Sequence, residues 1–231
     1  MRAFFRGLMI LLAWGLSAQV RPAWLDQNAQ LVYPTNYDAR RSYPLIIWLP
    51  YTGGTALESF SFHQNSLPSD EFLVLLPPGR PLREHYLPAF DRFVGWYEDM
   101  LLRTLGSLVN ILGKEPSAVV VVGHSLGGDL AWALTVRNPH LFNGVVLSGT
   151  RASHRFSPQA LETLRRANTK FYFFLGQRED RTRRQGMLRA IDELQQNRII
   201  YFFHELPNRA HELPPYADFV NAIRWVLKRE S

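Results

Sequence analysis

The strongest constraint on the fold is an alternation between short, wholly apolar runs and longer segments in which apolar residues recur at helical spacing. Leu45–Leu49 is one such run, stopped by Pro50, and Ala118–Val122 is another. Residues 94–112 have the helical spacing, and Gly113 follows them where a left-handed cap is common. Strands that are apolar on both faces are covered on both faces, so the alternation predicts an α/β protein with a mainly parallel sheet between helices. The predicted strands are 31–33, 45–49, 72–76, 118–122, 145–147, 170–175 and 199–203, and the predicted helices are 94–112, 126–137, 157–167, 183–196 and 215–229.

Composition narrows the class of protein. Hydrophobic residues make up 46% of the chain and charged residues 20%, which is ordinary globular usage. The absence of Cys excludes thiol nucleophiles, zinc–thiolate sites and iron–sulfur clusters. Neither a phosphate-binding glycine loop nor a metal-binding His spacing occurs, so we predict no cofactor and no metal site. The net charge of +6 does not indicate a nucleic-acid partner, because the Arg residues of 178–184 are interleaved with Glu179 and Asp180 and predict a solvated helix start.

Residues 1–18 have the parts of a secretory signal peptide. Two Arg residues precede an apolar run at 7–16, and small residues end the segment at Ala18. The run is shorter than the roughly 20 apolar residues that a transmembrane helix needs. We therefore expect secretion or export to the periplasm, cleavage after Ala18, a single domain over 19–231, and no stable membrane insertion after cleavage. Leu16 is unusual three positions before the cut, which keeps an uncleaved N-terminal membrane anchor as the alternative.

The sequence Gly123-His124-Ser125-Leu126-Gly127 joins a predicted strand to a predicted helix. Small residues on either side of a serine let the chain turn sharply and present the hydroxyl at a helix N-terminus. The motif predicts Ser125 as a nucleophile, with the N–H of Leu126 able to bind a developing oxyanion. The alternative is a tight turn in which Ser125 only caps the helix. His124 is expected to be packed and hydrogen-bonded beneath the site.

The stretch Gly123–Gly128, with Asp99 before it and residues 139–149 after it, resembles the α/β-hydrolase superfamily. The similarity is to small secreted esterases of the carboxylesterase and polyester-depolymerase-like groups, and it extends over about residues 40–229. The resemblance implies the α/β-hydrolase fold. The short segment 149–169 leaves no room for the large cap domain that many relatives insert there.

The resemblance also implies the order nucleophile, acid, histidine along the chain. His211 lies between the last predicted strand and the last helix, where the family's base is found, whereas His204 adjoins the strand itself. Two carboxylates follow strand 170–175: Glu179 has the commonest family spacing, and Asp180 is the usual residue type. Neighbouring residues in a turn point in different directions, so one of the two should face His211, and we favour Asp180 by a narrow margin.

A second oxyanion donor is implied in the loop after strand 45–49. Leu49–Gly54 occupies the place of the family's His-Gly-x-Gly-Gly loop, and alignment on the glycine pair gives the N–H to Thr52. Pro50 and Tyr51 depart from the family pattern, which has His and Gly there. Tyr51 is expected either to contact substrate or to obstruct the loop.

These residues together predict a serine hydrolase that cleaves small-molecule or polymeric carboxylic esters through an acyl-enzyme. Peptidases and thioesterases use the same machinery and stay as alternatives. A non-catalytic binding protein of the same fold is the remaining alternative. The departures at Pro50 and Tyr51 favour it, and the complete set of Ser, acid and His opposes it.

Overall fold

The centre of the structure is a seven-stranded sheet, within the residues that the computed structural model describes (29–61, 71–77 and 87–228). The predicted signal peptide lies outside the described residues. The strands are β1 Gln30–Val32, β2 Leu45–Trp48, β3 Leu73–Leu76, β4 Val119–His124, β5 Gly144–Ser148, β6 Lys170–Gly176 and β7 Tyr201–Leu206.

The sheet has the strand order β1-β3-β2-β4-β5-β6-β7. Only β1, at one edge, is antiparallel to its neighbour, β3. In the parallel part, Ile46 of β2 is in register with Val120 of β4, and Val121 is in register with Val145 of β5. The chain reverses its direction of travel across the sheet between β2 and β4. In open α/β sheets, ligands bind at the carboxyl ends of the strands at such a point.

Helices cover both faces of the sheet, as the apolar strands require. They are α1 Ala56–Ser61, α2 Phe90–Leu112, α3 Leu126–Arg137, α4 Pro158–Arg166, α5 Arg181–Gln196 and α6 Tyr216–Leu227. Helices α2 to α5 share one apolar core, which includes Val121 of β4. Helices α1 and α6 share the other core, which includes Val120 and Val122, because successive side chains of a strand point to opposite faces.

The predicted α/β-hydrolase fold is confirmed. Between β5 and β6 the chain adds one nine-residue helix, α4, rather than a cap domain. Three boundaries differ from the prediction in ways that affect the site: β4 continues to His124, α5 begins at Arg181, and β7 extends to Leu206. No helix in the described part of the chain is long and apolar enough to span a membrane.

Candidate active site

Ser125 makes the sharp turn between β4 and α3. The strand ends at His124 and the helix begins at Leu126, so one residue makes the connection. The φ of Ser125 is 57°, in the left-handed region that residues with a Cβ seldom adopt. A Cβ on Gly123 would overlap the backbone of Gly127, so the turn closes this tightly only with glycine at position 123. The turn that the motif predicts is present.

The hydroxyl of Ser125 makes no capping bond to α3, unlike in the alternative of a simple helix cap. It pairs instead with His211, whose Nε2 lies 2.8 Å from Ser125 Oγ. His211 Nδ1 lies 2.9 Å from Glu179 Oε2. The carboxylate fixes the tautomer, because Nδ1 must carry the proton that it donates, which makes Nε2 the acceptor of the serine proton. The line of three groups can remove a proton from Ser125 as its oxygen attacks an electrophile.

Three loops at the carboxyl edge of the sheet bring these groups together. Ser125 follows β4, Glu179 follows β6, and His211 lies in the connection from β7 to α6. The Glu179 side chain is only 1% exposed and that of His211 is 35% exposed. The carboxylate is therefore shielded from water, which strengthens its interaction with the imidazole, while the imidazole can reach a substrate.

The narrow preference for Asp180 over Glu179 as the partner of His211 is wrong. Asp180 is the N-cap of α5, and its Oδ1 accepts the N–H of Arg183 at 3.0 Å. Asp is among the best N-cap residues. Because the Asp180 side chain is used to cap the start of α5, it does not pair with His211. The N–H of Asp180 in turn donates to Glu179 Oε1 at 3.0 Å, so both oxygens of Glu179 have donors.

Gly149, directly after β5, lies against the paired His211 and Glu179. Its φ is 55°, and an added Cβ would lie 2.8 Å from His211 Cε1 and 3.1 Å from Glu179 Oε2. A side chain at position 149 would therefore displace one partner or the other. The absence of a side chain here lets the two loops close on each other.

The loop after β2 passes beside the nucleophile turn. An added Cβ on Gly127 would lie 2.7 Å from the carbonyl oxygen of Pro50, so the loop backbone nearly touches the first turn of α3. Tyr51 and Gly54 close a turn through Gly54 N–H to Tyr51 O at 3.2 Å, with Thr52 inside it. The N–H of Leu126 is the first of α3 and has no partner in the preceding turn of helix. The oxyanion roles of Leu126 and Thr52 stay predictions.

The ring of Tyr51 lies against Gly54, where an added Cβ would come within 2.6 Å of Tyr51 Cζ. Tyr51 is half-buried in this position. Its predicted contact with substrate stays a prediction.

His124 supports the imidazole of His211 from one side. The two rings are stacked, with their planes 27° apart and their centroids 4.9 Å apart. His124 Nδ1 lies 3.0 Å from Ser148 Oγ. The predicted hydrogen bond of His124 is confirmed. The ring contact with His211 was not predicted.

Arg183 was not predicted at the site, and the expectation that it lies on a solvated helix start is wrong. Its side chain is 6% exposed, and its guanidinium donates to Gly149 O. The sequence does contain a signal for this burial. At helical spacing, Arg183 falls on the same face of α5 as the buried Met187, Ala190 and Leu194.

Asp129, one turn after Ser125, was also missed. Its buried carboxylate accepts Thr150 Oγ1–H at 3.0 Å and, from Arg151, both the backbone N–H and Nη1–H, at 2.6 and 2.8 Å. It is the only charged residue in the first eleven of α3, and a lone charge in an apolar helix is a readable signal. Over 29–61, 71–77 and 87–228, no group of three or more His, Asp or Glu side chains could hold a metal ion.

Comparison with solved structures shows the same fold at low sequence identity. Dipeptidyl peptidase 4 of Porphyromonas gingivalis is 16% identical, with a TM-score of 0.63, over 86% of this chain and 33% of that one. This chain thus spans about a third of that peptidase and of a putative dipeptidyl aminopeptidase IV from Bacteroides ovatus. A CE1 ferulic acid esterase from Anaeromyces mucronatus is 15% identical, with a TM-score of 0.63, over 87% of this chain and 86% of that one. Acyl-protein thioesterase 2 of Zea mays is 16% identical, with a TM-score of 0.58, over 86% and 97%.

Sequence comparison identifies the family. A search of curated proteins found no match. A family model described as the alpha/beta hydrolase fold matches residues 80–198, just over half of the chain, and includes the nucleophile turn. With the sheet order and the position of Ser125, this match shows that the chain belongs to the α/β-hydrolase fold family.

Proposed function

We propose that this protein is a carboxylic ester hydrolase that forms an acyl-enzyme on Ser125. The observation that carries the proposal is the line of hydrogen bonds from Ser125 through His211 to Glu179, with distances of 2.8 and 2.9 Å. A serine is a poor nucleophile unless a base takes its proton. Here the base, His211, has a fixed tautomer and is bonded to the buried carboxylate of Glu179. The nucleophile, Ser125, is held next to it on a strained turn.

The reaction follows from these three groups. Ser125 Oγ attacks the ester carbonyl carbon while its proton passes to His211 Nε2, and Glu179 stabilises the imidazolium. The imidazolium gives that proton to the departing alkoxide, so the alcohol leaves and the acyl group stays on Ser125. A water molecule then attacks the acyl carbon while its proton passes to His211 Nε2. The bond between the acyl group and Ser125 Oγ breaks, His211 returns the proton to Ser125 Oγ, and the acid is released.

The oxyanion of each tetrahedral intermediate is assigned to the N–H groups of Leu126 and Thr52. The approach of Pro50 O to Gly127 supports this assignment, because it holds the loop that contains Thr52 beside the helix start that contains Leu126. Fixed hydrogen-bond donors aimed at the developing charge typically make the largest single contribution to transition-state stabilisation in acyl transfer.

Esters are favoured over peptides because of the extent of the structural likeness. This chain covers most of the ferulic acid esterase and of the acyl-protein thioesterase, but only a third of the dipeptidyl peptidases. The comparable size supports action on esters or thioesters. Thioester hydrolysis is the second candidate, and a panel of matched esters and thioesters separates the two.

Labelling with a fluorophosphonate probe tests the nucleophile. Wild-type protein should be labelled on Ser125 and should hydrolyse p-nitrophenyl butyrate. Ser125→Ala should abolish labelling and lower kcat by about 10⁴-fold or more, because the acyl-enzyme cannot form. More than a few per cent of wild-type activity in Ser125→Ala would refute the mechanism, and an unlabelled, folded wild type would favour a binding protein.

Ser153→Ala is the matched control. Ser153 Oγ also lies near a histidine, 3.5 Å from His154 Nδ1, and His154 Nε2 lies 2.9 Å from Asp91 Oδ1. The Asp91 side chain is 86% exposed, so its charge is screened by solvent. Ser153 lies within the longer loop 149–157 between β5 and α4, rather than on a one-residue turn like that of Ser125. Ser153→Ala should therefore keep wild-type labelling and turnover.

A further inference from the structure

Arg183 brings a buried positive charge to the side of the nucleophile. Its side chain is 6% exposed, and its Nη2 lies 3.5 Å from Ser125 Oγ. We propose that Arg183 binds a carboxylate of the substrate that lies a short distance from the scissile ester, an inference that rests on the proposed ester hydrolase function. The substrates preferred would be half-esters of dicarboxylic acids or esters of hydroxy acids.

The contacts of the guanidinium leave one nitrogen directed at the site. Nη1 donates to Gly149 O, and Nε lies 3.3 Å from Asp180 Oδ2. Within the described part of the chain, Ser125 Oγ is the only polar atom that Nη2 approaches within hydrogen-bond distance. At 3.5 Å that contact is long for a hydrogen bond, so it leaves Nη2 with donor capacity for a substrate oxygen.

The charge of Arg183 is only partly balanced. The buried carboxylate nearby, Asp129, is paired mainly with Arg151 at 2.8 Å and lies 3.8 Å from Arg183 Nη1. The nearer carboxylate, Asp180, has a side chain that is 53% exposed, so solvent weakens its attraction. A buried cation with a screened partner favours a second anion close by.

The position of Arg183 assigns it to the substituents of the substrate rather than to the oxyanion. The strand β4 lies between β2 and β5. The loop that contains Thr52 follows β2, whereas the carbonyl of Gly149, which holds Arg183, follows β5. Arg183 thus approaches Ser125 from the side of β5, opposite to the loop that contains Thr52, where the acyl or the alcohol group of an ester would lie.

Two pairs of esters of equal shape test this inference in the wild-type enzyme. Monomethyl succinate and methyl 4-methylpentanoate differ only by a carboxylate or an isopropyl group on the acyl side. The anion 3-acetoxypropanoate and the neutral ester 3-methylbutyl acetate differ in the same way on the alcohol side. Each kcat/KM is divided by the rate constant for hydrolysis by hydroxide, and the ratio within each pair is the readout. We expect the charged member of one pair to be preferred by about tenfold or more, the value of one charge-assisted hydrogen bond.

Variants separate carboxylate binding from support of the fold. In the pair that shows the preference, Arg183→Gln should lower the ratio of charged to neutral ester to one or below. Arg183→Lys should keep part of the preference, because lysine keeps the charge without the planar fork of the guanidinium. Arg181→Gln removes a charge from an exposed position on the same helix and should keep the wild-type ratio. A purely structural role for Arg183 would lower the rates of both members of a pair together and leave the ratio unchanged.

The outcomes distinguish this inference from the proposed function. If the wild type hydrolyses the neutral esters but prefers neither charged ester, the inference is wrong and the hydrolase proposal stands. A preference that survives in Arg183→Gln also overturns it. If that variant does not fold, the wild-type ratios and Arg183→Lys decide. Failure to hydrolyse any of the four esters, together with no labelling of Ser125, would overturn the proposed function itself.

Discussion

At the scale of single residues, Glu179 and Asp180 are neighbours that position different groups. Glu179 holds His211, whose Nε2 lies 2.8 Å from Ser125 Oγ. Asp180 caps α5 and lies beside the guanidinium of Arg183, which lies 3.5 Å from the same oxygen. The two carboxylates are therefore each paired with a group that lies next to Ser125 Oγ.

Amide replacement of each carboxylate separates these roles. Glu179→Gln should lower kcat on p-nitrophenyl butyrate by about 10⁴-fold, the loss typical when the acid of a serine-protease triad becomes an amide. The amide favours the wrong tautomer of His211 and cannot stabilise the imidazolium. Asp180→Asn should lose no more than about a few-fold, since Asn caps a helix as well as Asp does and this ester has no carboxylate. Steady-state kinetics at neutral pH measures both.

Two other outcomes would contradict this assignment. Small losses in both variants would show a Ser–His pair that works without a carboxylate. A larger loss in Asp180→Asn than in Glu179→Gln would return the acid role to Asp180. Retained fluorophosphonate labelling in Asp180→Asn confirms that the site is assembled.

Much of the site could be predicted from the sequence, and the error at Asp180 has a local cause. Ser125 follows from a motif, and His211 follows from the chain order that the family resemblance implies. Neither inference depends on the direction of a side chain. The choice between Glu179 and Asp180 depends on the residue at which α5 begins, and the predicted start at residue 183 left Asp180 outside the cap. The charge of Arg183 predicts a solvated side chain, whereas its spacing relative to Met187 and Ala190 indicates the buried face of the helix. The prediction for Arg183 is wrong because it rests on the charge alone.

At the scale of elements, α2 is the longest helix of the described residues, and among those residues one of its buried hydroxyls has no hydrogen-bond partner. It spans Phe90–Leu112. The next residue, Gly113, has a φ of 66° and forms the predicted left-handed cap. Tyr97 is fully buried in it, with its ring packed edge-on against Phe93 and Trp96. The Tyr97 hydroxyl has no hydrogen-bond partner among the described residues. Burial raises the pKa of Tyr97 above its ordinary value.

Tyr97→Phe should therefore stabilise the fold or leave it unchanged. At pH 7 the gain in the free energy of unfolding should reach about 1 kcal/mol, since an unpaired hydroxyl no longer has to be desolvated. Above about pH 10 the unfolded state releases the tyrosine proton while folded Tyr97 keeps it, so wild-type stability falls as pH rises. The variant lacks this loss, and its advantage should grow from pH 9 to pH 11 in urea unfolding.

Tyr43→Phe is the control for this prediction. Tyr43 is also buried, but its hydroxyl oxygen accepts the N–H of Asp38 at 3.1 Å. Removal of that oxygen should cost about 1 kcal/mol at pH 7. An equal loss in Tyr97→Phe would mean that the Tyr97 hydroxyl has a partner after all.

At the scale of the whole molecule, the parallel sheet explains why distant residues meet. Parallel strands end at the same edge, so the loops after β2, β4, β5, β6 and β7 meet there. Alternating apolar runs could predict this much. They could not predict α1, a six-residue helix with too few turns to show a period, or the full length of β7, whose edge position leaves residues such as Phe202 exposed.

Export of the whole chain is the remaining prediction, and it depends on residues 1–18. Expressed with these residues in a secreting host, the protein should leave the cytoplasm with Gln19 at its N-terminus, which N-terminal sequencing measures. Leu11→Arg interrupts the apolar run and should keep the full-length protein inside the cell. Leu16→Ala places a small residue three positions before the cut and should speed processing. Recovery of the wild type in membranes with its first residues intact, and release only of Leu16→Ala, would replace cleavage with an N-terminal anchor.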